Sequence, residues 1–127
     1  LELDSLEPGQ IILDSRKPGA GGILLATTRE GTLRLTLNDG RSECSWDGDP
    51  GVLQEGRRHH VTAIVDGGPK IILFVVDGVL CDGGEHRQFG WGRYSPNLRT
   101  PNGAANSWSP AASRRSGSTR PARSARC

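Results

Sequence analysis

The stretch that decides the fold is residues 59–78, HHVTAIVDGGPKIILFVVDG. Residues 60–66 alternate between two faces, which is the period-two pattern of a strand with one face buried. One of these faces holds Val61, Ala63 and Val65. Residues 70–76 are apolar at almost every position, so they predict a central strand that is covered on both faces. Gly-Gly-Pro turns the chain between the two segments, and the Asp-Gly that follows the second predicts a hairpin turn.

Outward from this stretch, five more segments have strand patterns bounded by turn residues. They are residues 10–14, 23–28, 32–37, 41–46 and 79–81. Asn-Asp-Gly at residues 38–40 is a strong hairpin signal, because Asn and Gly tolerate the positive φ of tight turns. Seven short strands with turn signals about every ten residues, and no sustained helical periodicity, predict an all-β fold, an antiparallel β-sandwich.

The composition agrees with one turn-rich β domain. The chain has 127 residues, with 18 Gly and 8 Pro, which is the usual size of a single domain. Its longest apolar run, residues 71–76, is far shorter than the roughly 20 residues that a membrane-spanning helix needs, so we expect no membrane span. The chain shows no signal peptide and begins with LELD in the manner of a strand interior, which predicts a piece of a longer protein.

Charge divides the chain into two parts. Residues 99–127 hold six arginines and no carboxylate, a charge of +6, so the net charge of +2 leaves −4 on residues 1–98. A mildly acidic body offers no electrostatic footprint for nucleic acid, and we expect no nucleic-acid partner.

The basic segment differs from the body in composition as well. After Leu98 it has no Ile, Val, Leu, Phe, Asp or Glu. Such a segment cannot bury enough apolar surface to fold, so we expect residues 99–127 to be a disordered C-terminal tail. Three interpretations of it stay open: a linker, an anion-binding tail, or a stretch translated in a shifted reading frame.

The letters HHV, VDGG and FVVDG within residues 59–78 resemble the laminin-G-like, concanavalin A-like jelly-roll family. Members of that family often read HHVAV and VDG across two central strands, with Trp where this chain has Arg58. The resemblance extends loosely over residues 6–98, and it implies an incomplete jelly roll of two curved antiparallel sheets. It also implies a secreted or cell-surface location, attachment to a hydrolase or surface protein of bacterial type, and binding of glycans or proteins, sometimes with calcium.

Four side chains are the candidates for holding a ligand, and they are Trp46, Trp91, Arg93 and Tyr94. Sugars present C–H faces that stack on aromatic rings, while charged side chains bind the hydroxyls. The same rings could instead fill the space between two sheets, and the sequence leaves both interpretations open. We predict a non-catalytic module that binds a polysaccharide or other glycan.

Three carboxylates near the start of the chain suggest an alternative, a glycoside hydrolase. Glu2 and Asp4 would share a strand face, and a bulge could bring Glu7 onto it; a retaining enzyme needs two carboxyls about 5–5.5 Å apart. However, the Pro8-Gly9 turn follows Glu7 directly, and aromatic residues make up only 5% of the chain. We therefore expect no catalytic residues. A structural domain that contacts other proteins is the third hypothesis.

The sequence gives only a weak indication of a metal site. His59 and His60 are adjacent, so on a strand they point to opposite faces, and we expect a hydrogen-bonded structural role. Asp47 and Asp49 are too few for calcium, which takes six to eight oxygens. We therefore predict no metal and no cofactor, with calcium as the weak alternative.

The cysteines are Cys44, Cys81 and Cys127, and their spacing matches no zinc motif. Cys44 and Cys81 could pair outside the cytosol or stay buried as thiols, and the sequence leaves both alternatives open.

Overall fold

A computed structural model of the chain describes residues 1–83, 91–99 and 101, and the backbone of residues 123–126. These residues form strands and turns, and no helix occurs among them. The strands are β1 (Ile11–Asp14), β2 (Gly22–Thr27), β3 (Leu33–Asn38), β4 (Ser42–Asp47), β5 (Val61–Asp66), β6 (Ile71–Val76), β7 (Val79–Leu80), β8 (Gly92–Arg93) and β9 (Arg123–Arg126).

All seven strands predicted from the sequence are present, with ends that agree to within one residue. The prediction missed β8, which is only two residues long and includes a glycine. It also missed β9, which lies in the basic segment expected to lack regular structure; at those four residues the structure differs from the expectation. Backbone pairing with β4 supplies the hydrogen bonds of β9, so no apolar alternation is needed. Residues 102–122 of that segment lie outside the described residues.

The strands form two sheets. The first has the order β1-β2-β3-β4-β9, and in the second β5 and β7 flank β6. β8 lies on the same side of β6 as β7, where it pairs with Ile71 and Ile72. Every pair is antiparallel except β4–β9, which is parallel. The fold is therefore all-β, with two sheets that are antiparallel apart from this one pair.

One hydrophobic core takes side chains from both sheets. Its fully buried members include Leu33, Leu37, Ile72, Phe74, Cys81 and Leu98. The buried residues of β3 and β6 occupy alternate positions, because successive side chains of a strand point to opposite faces. Each large side chain buried in this way contributes on the order of 1.5–3 kcal/mol.

The central strand β6 is covered less evenly than its sequence predicts. Its position between two neighbours agrees with the prediction. Ile72, Phe74 and Val76 are buried, whereas the alternate residues of the strand are only half-buried. The two faces of β6 therefore differ: one belongs to the core and the other is an apolar surface that the described residues leave partly open.

The edge strand β5 likewise departs from its predicted burial. Val61 packs against the core, and register places Ala63 and Val65 on the same face, opposite Phe74 and Ile72. Both are exposed, Val65 by 38%. The alternation along β5 was predicted correctly, but an edge position leaves the far half of the strand uncovered.

Two tight turns are built as the sequence predicts. Asp77 and Gly78 have φ values of 51° and 81°, as a two-residue hairpin loop with both central residues at positive φ requires. In the other turn, the Asp39 carboxylate accepts backbone N–H groups from Arg41 and Ser42 at 2.8 and 2.7 Å and from Arg99 at 2.8 Å. Burial opposes ionisation of Asp39, but these three donors outweigh it and lower the pKa of its carboxyl.

The sequence left two alternatives for Cys44 and Cys81, a disulfide between them or two buried thiols, and the structure matches neither completely. Cys44 is disulfide-bonded, while Cys81 lies in the core as a thiol. A Cys44–Cys81 bond is therefore not the one that forms. As for membranes, the described part of the chain contains no helix of the length and apolar character needed to cross a bilayer.

Candidate functional site

The four predicted ligand-binding side chains lie on two sides of the second sheet. Tyr94 is only 4% exposed and belongs to the core, and Trp46 packs against that core from β4. Trp91 is 42% exposed, and Arg93 is exposed as well. The structure thus brings two of the four to the surface and places the other two inside.

Gly92 lies in β8 directly against the Trp46 ring. It pairs with the buried Ile72, so it faces the core, and a Cβ at this position would overlap the Trp46 ring. Only a glycine at this position of β8 leaves room for Trp46 to lie against the backbone. Trp46 therefore acts as a support beneath the strand that carries Arg93.

Tyr94 fixes the end of β8 from inside. Its hydroxyl donates to the Asp66 carbonyl oxygen at 3.2 Å, and its backbone N–H donates to the Lys70 carbonyl at 2.9 Å. Burial, together with the Asp66 charge, raises the pKa of the Tyr94 hydroxyl, so the group stays a neutral donor. These contacts hold the segment after β8 against the turn that joins β5 and β6.

Arg93 lies on the opposite side of β8 from Gly92, since successive side chains of a strand point to opposite faces. Arg93 pairs with Ile71, whose partner on β5 is Asp66. We call this surface the outer face of the second sheet. Its residues are Thr62, Ile64, Asp66, Ile71, Leu73, Val75, Leu80 and Arg93, and the exposed Trp91 directly precedes β8.

The outer face combines apolar area with a few polar groups. Ile64, Leu80 and Trp91 are each 42 to 43% exposed. Arg93 and Asp66 lie on either side of Ile71 in one row across three strands, and a cation and a carboxylate therefore flank an apolar strip. Such a surface can stack against a flat apolar ligand face and hydrogen-bond to polar groups at its margin.

Of the two histidines, only His59 has the hydrogen-bonded structural side chain that the sequence predicts. His59 is buried and His60 is exposed. The Gln54 backbone N–H donates to His59 Nε2 at 2.9 Å, so the ring carries its hydrogen on Nδ1 and donates to Asp77 at 2.7 Å. Both ring nitrogens are thus committed to the protein. The hydrogen bond from His59, with another from the His60 backbone, lowers the pKa of the Asp77 carboxyl.

The Asp-Gly-Asp loop after β4 uses its carboxylates within the protein. Asp47 forms a two-pronged ion pair with Arg34, at 2.6 and 2.7 Å. Both Asp49 oxygens accept the Gly83 backbone N–H at 3.0 Å. Within the residues that the structure describes, no group of three or more His, Cys, Asp or Glu side chains is placed to hold a metal ion.

The three carboxylates near the start of the chain lie outside regular strands. Glu2 forms an isolated bridge and an ion pair with Arg58, its Oε2 lying 3.3 Å from the Arg58 Nε. Asp4 and Glu7 are exposed, and Glu7 immediately precedes the turn at Gly9, which has a φ of 86°. The geometry therefore forms no strand face shared by these acids.

Two shallow clefts lie on the first sheet. One of about 440 Å³ is bounded by the turn at Lys17–Gly21 and contains the Asp14–Arg16 ion pair, whose shorter N–O distance is 2.8 Å. The other, of about 460 Å³, lies beside Thr28 and Arg34. Among the described residues, no aromatic side chain lines either cleft, so these residues offer no ring for stacking there.

The sequence interpretation missed the apolar members of the outer face. Ile64, Ile71 and Leu73 were visible as apolar residues, but an apolar outer face gives the same pattern as a strand buried on both sides. Only the sheet order, with β5 at the edge and short β7 and β8 opposite, tells the two cases apart.

Comparison with known proteins adds no relative. No protein-family model, no curated protein and no solved structure matches this chain. The resemblance to laminin-G-like domains thus rests on residues 59–78 alone, and the structure independently shows an all-β chain with two sheets.

Proposed function

We propose that this chain is a non-catalytic carbohydrate-binding module that holds a glycan against the outer face of its second sheet. The observation that carries the proposal is the exposure of both Trp91, directly before β8, and Arg93, within it. A sugar ring stacks its C–H face on an indole, and guanidinium and carboxylate groups at the margin bind its hydroxyls. Arg93 and Asp66 supply such groups on either side of Ile71.

The supporting side chains favour a rigid binding surface. Trp46 lies directly beneath Gly92, and Tyr94 is hydrogen-bonded to the turn after β5. Because the residues on both sides of Arg93 are fixed from the core, the ligand would not have to order that strand on binding. A preorganised surface loses less conformational entropy and therefore binds more tightly.

In this proposal the domain is an incomplete laminin-G-like β-sandwich of jelly-roll type, comprising residues 1–98. It would belong to a larger secreted or cell-surface protein of bacterial type. Three observations support this: the residue pattern of 59–78, the single core shared by two sheets, and the disulfide at Cys44. Disulfides form and persist mainly in oxidising, extracytosolic compartments.

A glycan array tests the proposal directly. The full chain is applied to immobilised polysaccharides that include β-glucans, and the best-retained glycan is then measured by calorimetry. We expect Trp91→Ala to weaken binding by on the order of 1–3 kcal/mol, the contribution of one large contact side chain, without unfolding the protein. Ile11→Ala is the matched control, since it removes a side chain 61% exposed on the first sheet.

Two results would contradict the proposal. One is the absence of retention on every polysaccharide. The other is equal binding by wild type and Trp91→Ala, which would place the ligand elsewhere. If the chain hydrolyses a β-glucan and Glu2→Gln or Glu7→Gln abolishes that activity, the domain is a catalytic glycoside hydrolase of concanavalin A-like fold instead.

A second candidate is a structural domain that contacts another protein. The observation in its favour is the apolar character of the outer face, where Ile64 and Leu80 are 42 and 43% exposed. Exposed apolar patches commonly mark protein contact sites. Failure on the glycan array, together with loss of a protein complex in Leu73→Lys, would favour this function over glycan binding.

A further inference from the structure

Asp-Gly pairs recur among the described residues. They are Asp39-Gly40, Asp47-Gly48, Asp66-Gly67, Asp77-Gly78 and Asp82-Gly83. Asp-Gly is the dipeptide in which an aspartate isomerises most readily, because glycine has no side chain to hinder attack by its own backbone nitrogen on the preceding carboxyl. The reaction needs both the glycine N–H and the aspartate carboxyl, so hydrogen bonds that the fold makes to either group protect the pair.

Three of these pairs have their glycine N–H bonded within the fold. The acceptors are Asn38 for Gly40, Leu33 for Gly48 and Asp49 for Gly83, at distances of 2.7 to 3.0 Å. A bonded N–H cannot turn toward the preceding carboxyl without losing its acceptor, which costs free energy. The fold therefore protects these three pairs at the attacking nitrogen.

Asp77-Gly78 is protected at its carboxylate. Asp77 Oδ2 accepts from His59 Nδ1 at 2.7 Å, and Oδ1 accepts the His60 backbone N–H at 2.8 Å. These bonds lower the pKa of the Asp77 carboxyl, whereas loss of water from a carboxyl requires its protonated form. The fold thus holds Asp77 in the ionised form that does not react.

Asp66-Gly67 is the pair that the fold leaves open. Gly67 is exposed, and its N–H has no hydrogen-bond acceptor among the described residues. Of the described donors, the Asp66 carboxylate accepts only the Gly68 N–H, through Oδ1 at 2.9 Å. This bond folds the side chain back over Gly67 and brings its carboxyl carbon near the Gly67 nitrogen. A Cβ on Gly67 would meet only the Tyr94 hydroxyl, at 3.8 Å, so the turn has room to rearrange.

We propose that Asp66-Gly67 is a site of spontaneous isoaspartate formation in the folded protein. This inference does not depend on the proposed glycan site. The Gly67 nitrogen bonds to Asp66 Cγ, and the carboxyl hydroxyl leaves with the amide proton as water. A second water then adds to the main-chain carbonyl carbon of Asp66 in the resulting succinimide and breaks its bond to the Gly67 nitrogen. The chain now runs through the former side chain and is one methylene longer, and the product is an isomer of the original protein.

Isomerisation changes the group to which Tyr94 is bonded. The Tyr94 hydroxyl donates to the Asp66 carbonyl oxygen at 3.2 Å, and after the rearrangement that oxygen belongs to a carboxylate outside the main chain. Asp66 also pairs with Ile71 at the end of the β5–β6 ladder, and the added methylene displaces this pair. We therefore expect the modified protein to hold the turn after β5 less firmly and to be less stable.

Peptide mapping of aged protein tests the site. The full chain is incubated at mildly acidic pH and body temperature, once folded and once in concentrated urea. Isoaspartate in each Asp-Gly peptide is then measured by methyl labelling with a protein isoaspartyl methyltransferase and located by electron-transfer fragmentation. In the folded sample Asp66 should hold more isoaspartate than the other four pairs together, and in urea those four should become reactive as well. Faster reaction at another pair in the folded sample, or the same distribution in both samples, would overturn the proposal.

Two substitutions at the pair supply matched controls. Asp66→Glu keeps the charge but would need a six-membered ring, which closes far more slowly. Gly67→Ala shields the attacking nitrogen with a methyl group, and the φ of Gly67 lies outside the positive region that disfavours alanine. The melting temperature of wild type should fall on ageing, and in both variants it should stay nearly constant. Isoaspartate that forms in Gly67→Ala at the wild-type rate, or aged wild type that melts like fresh protein, would overturn the proposal.

Discussion

The strand pairs β3–β4 and β5–β6 have the same antiparallel pairing but different outer faces. Across β3–β4 the outward residues are polar partners, namely Arg34 with Asp47, Thr36 with Ser45 and Asn38 with Glu43. Two of these pairs form side-chain contacts, the first an ion pair and the last a hydrogen bond of 2.9 Å. Across β5–β6 the outward pairs are Thr62 with Val75, Ile64 with Leu73 and Asp66 with Ile71.

The two pairs therefore differ in where apolar side chains remain exposed. Both pairs contribute alternate apolar residues to one core, so the fold requires no second apolar face on either of them. The outer face of β3–β4 is polar, with Arg34 and Asn38 half-buried and Thr36 buried. The outer face of β5–β6 keeps apolar area partly exposed beside Trp91 and Arg93, which is typical of a binding surface.

The edge strands of the two sheets also differ, in the regularity of their register. β1, at the edge of the first sheet, has an irregular register between Ile11 and Leu13, and a bulge of this kind discourages pairing with other strands. β5 keeps a regular register over all six residues. Both the apolar outer face and the regular edge therefore belong to the second sheet.

The largest expected effect separates the two faces of β6. Ile72 is fully buried in the core, and Ile71 next to it is half-buried on the outer face. We expect Ile72→Ala to lower the free energy of unfolding by about 3 kcal/mol, since it leaves a cavity, and Ile71→Ala by only about 1 kcal/mol. Urea denaturation measures both. Equal losses would mean that both faces of β6 belong to the core.

A smaller loss is expected where β8 lies on Trp46. Gly92→Ala would push a methyl group into the indole ring, and such overpacking costs about 2 kcal/mol. It should also weaken glycan binding, because it displaces the strand that carries Arg93. Gly67→Ala is the control: its added carbon would meet only the Tyr94 hydroxyl, at 3.8 Å. A stable Gly92→Ala with unchanged binding would show that Trp46 does not support the site.

Substitution of the two adjacent histidines should also cost unequal amounts of stability, with smaller losses than at β6. His59→Ala leaves the part-buried Gln54 N–H without its acceptor and removes the Asp77 contact, so we expect a loss of about 1.5 kcal/mol. His60→Ala, at an exposed position, should change stability by less than about 0.5 kcal/mol. Thermal unfolding compares the two variants. A larger loss in His60→Ala would contradict the structural role assigned to His59.

Acid should destabilise the fold by protonating Asp39 and Asp77, which lie in the turns that close the strand pairs. The folded protein lowers the pKa of Asp39 and Asp77 below the ordinary value of 3.8, so the unfolded chain takes up these protons first. Their contribution to stability is complete above that value and is lost as the pH falls through the lowered pKa. Asp39→Asn should show a flatter dependence of stability on pH below 4. A slope identical to that of wild type would rule out the Asp39 contacts as its cause.

The strands could be predicted from the sequence because their signals are local. Alternation at Leu33, Leu35 and Leu37 and the turn residues around Gly40 and Gly78 set the strand ends to within one residue. β9 could not be predicted, because its pairing depends on the backbone of a strand some 80 residues earlier and not on its own side chains.

The site was predictable only in part. Trp91 and Tyr94 flank β8 in similar sequence surroundings, but Trp91 is exposed and Tyr94 is buried in the core. The apolar outer face was visible in the sequence of β6 and was interpreted as a sign of burial. Composition cannot distinguish these two cases, since both give a continuous apolar run.

The most direct test of the account is a methyl NMR titration with the glycan that the array retains best. The isoleucine methyl groups report on each region separately: Ile64 and Ile71 on the outer face of the second sheet, Ile72 in the core and Ile11 on the first sheet. The account predicts saturable shifts at Ile64 and Ile71, with Ile72 and Ile11 unchanged, and loss of these shifts in Trp91→Ala. Shifts centred on Ile11, or none on the second sheet at saturation, would contradict it.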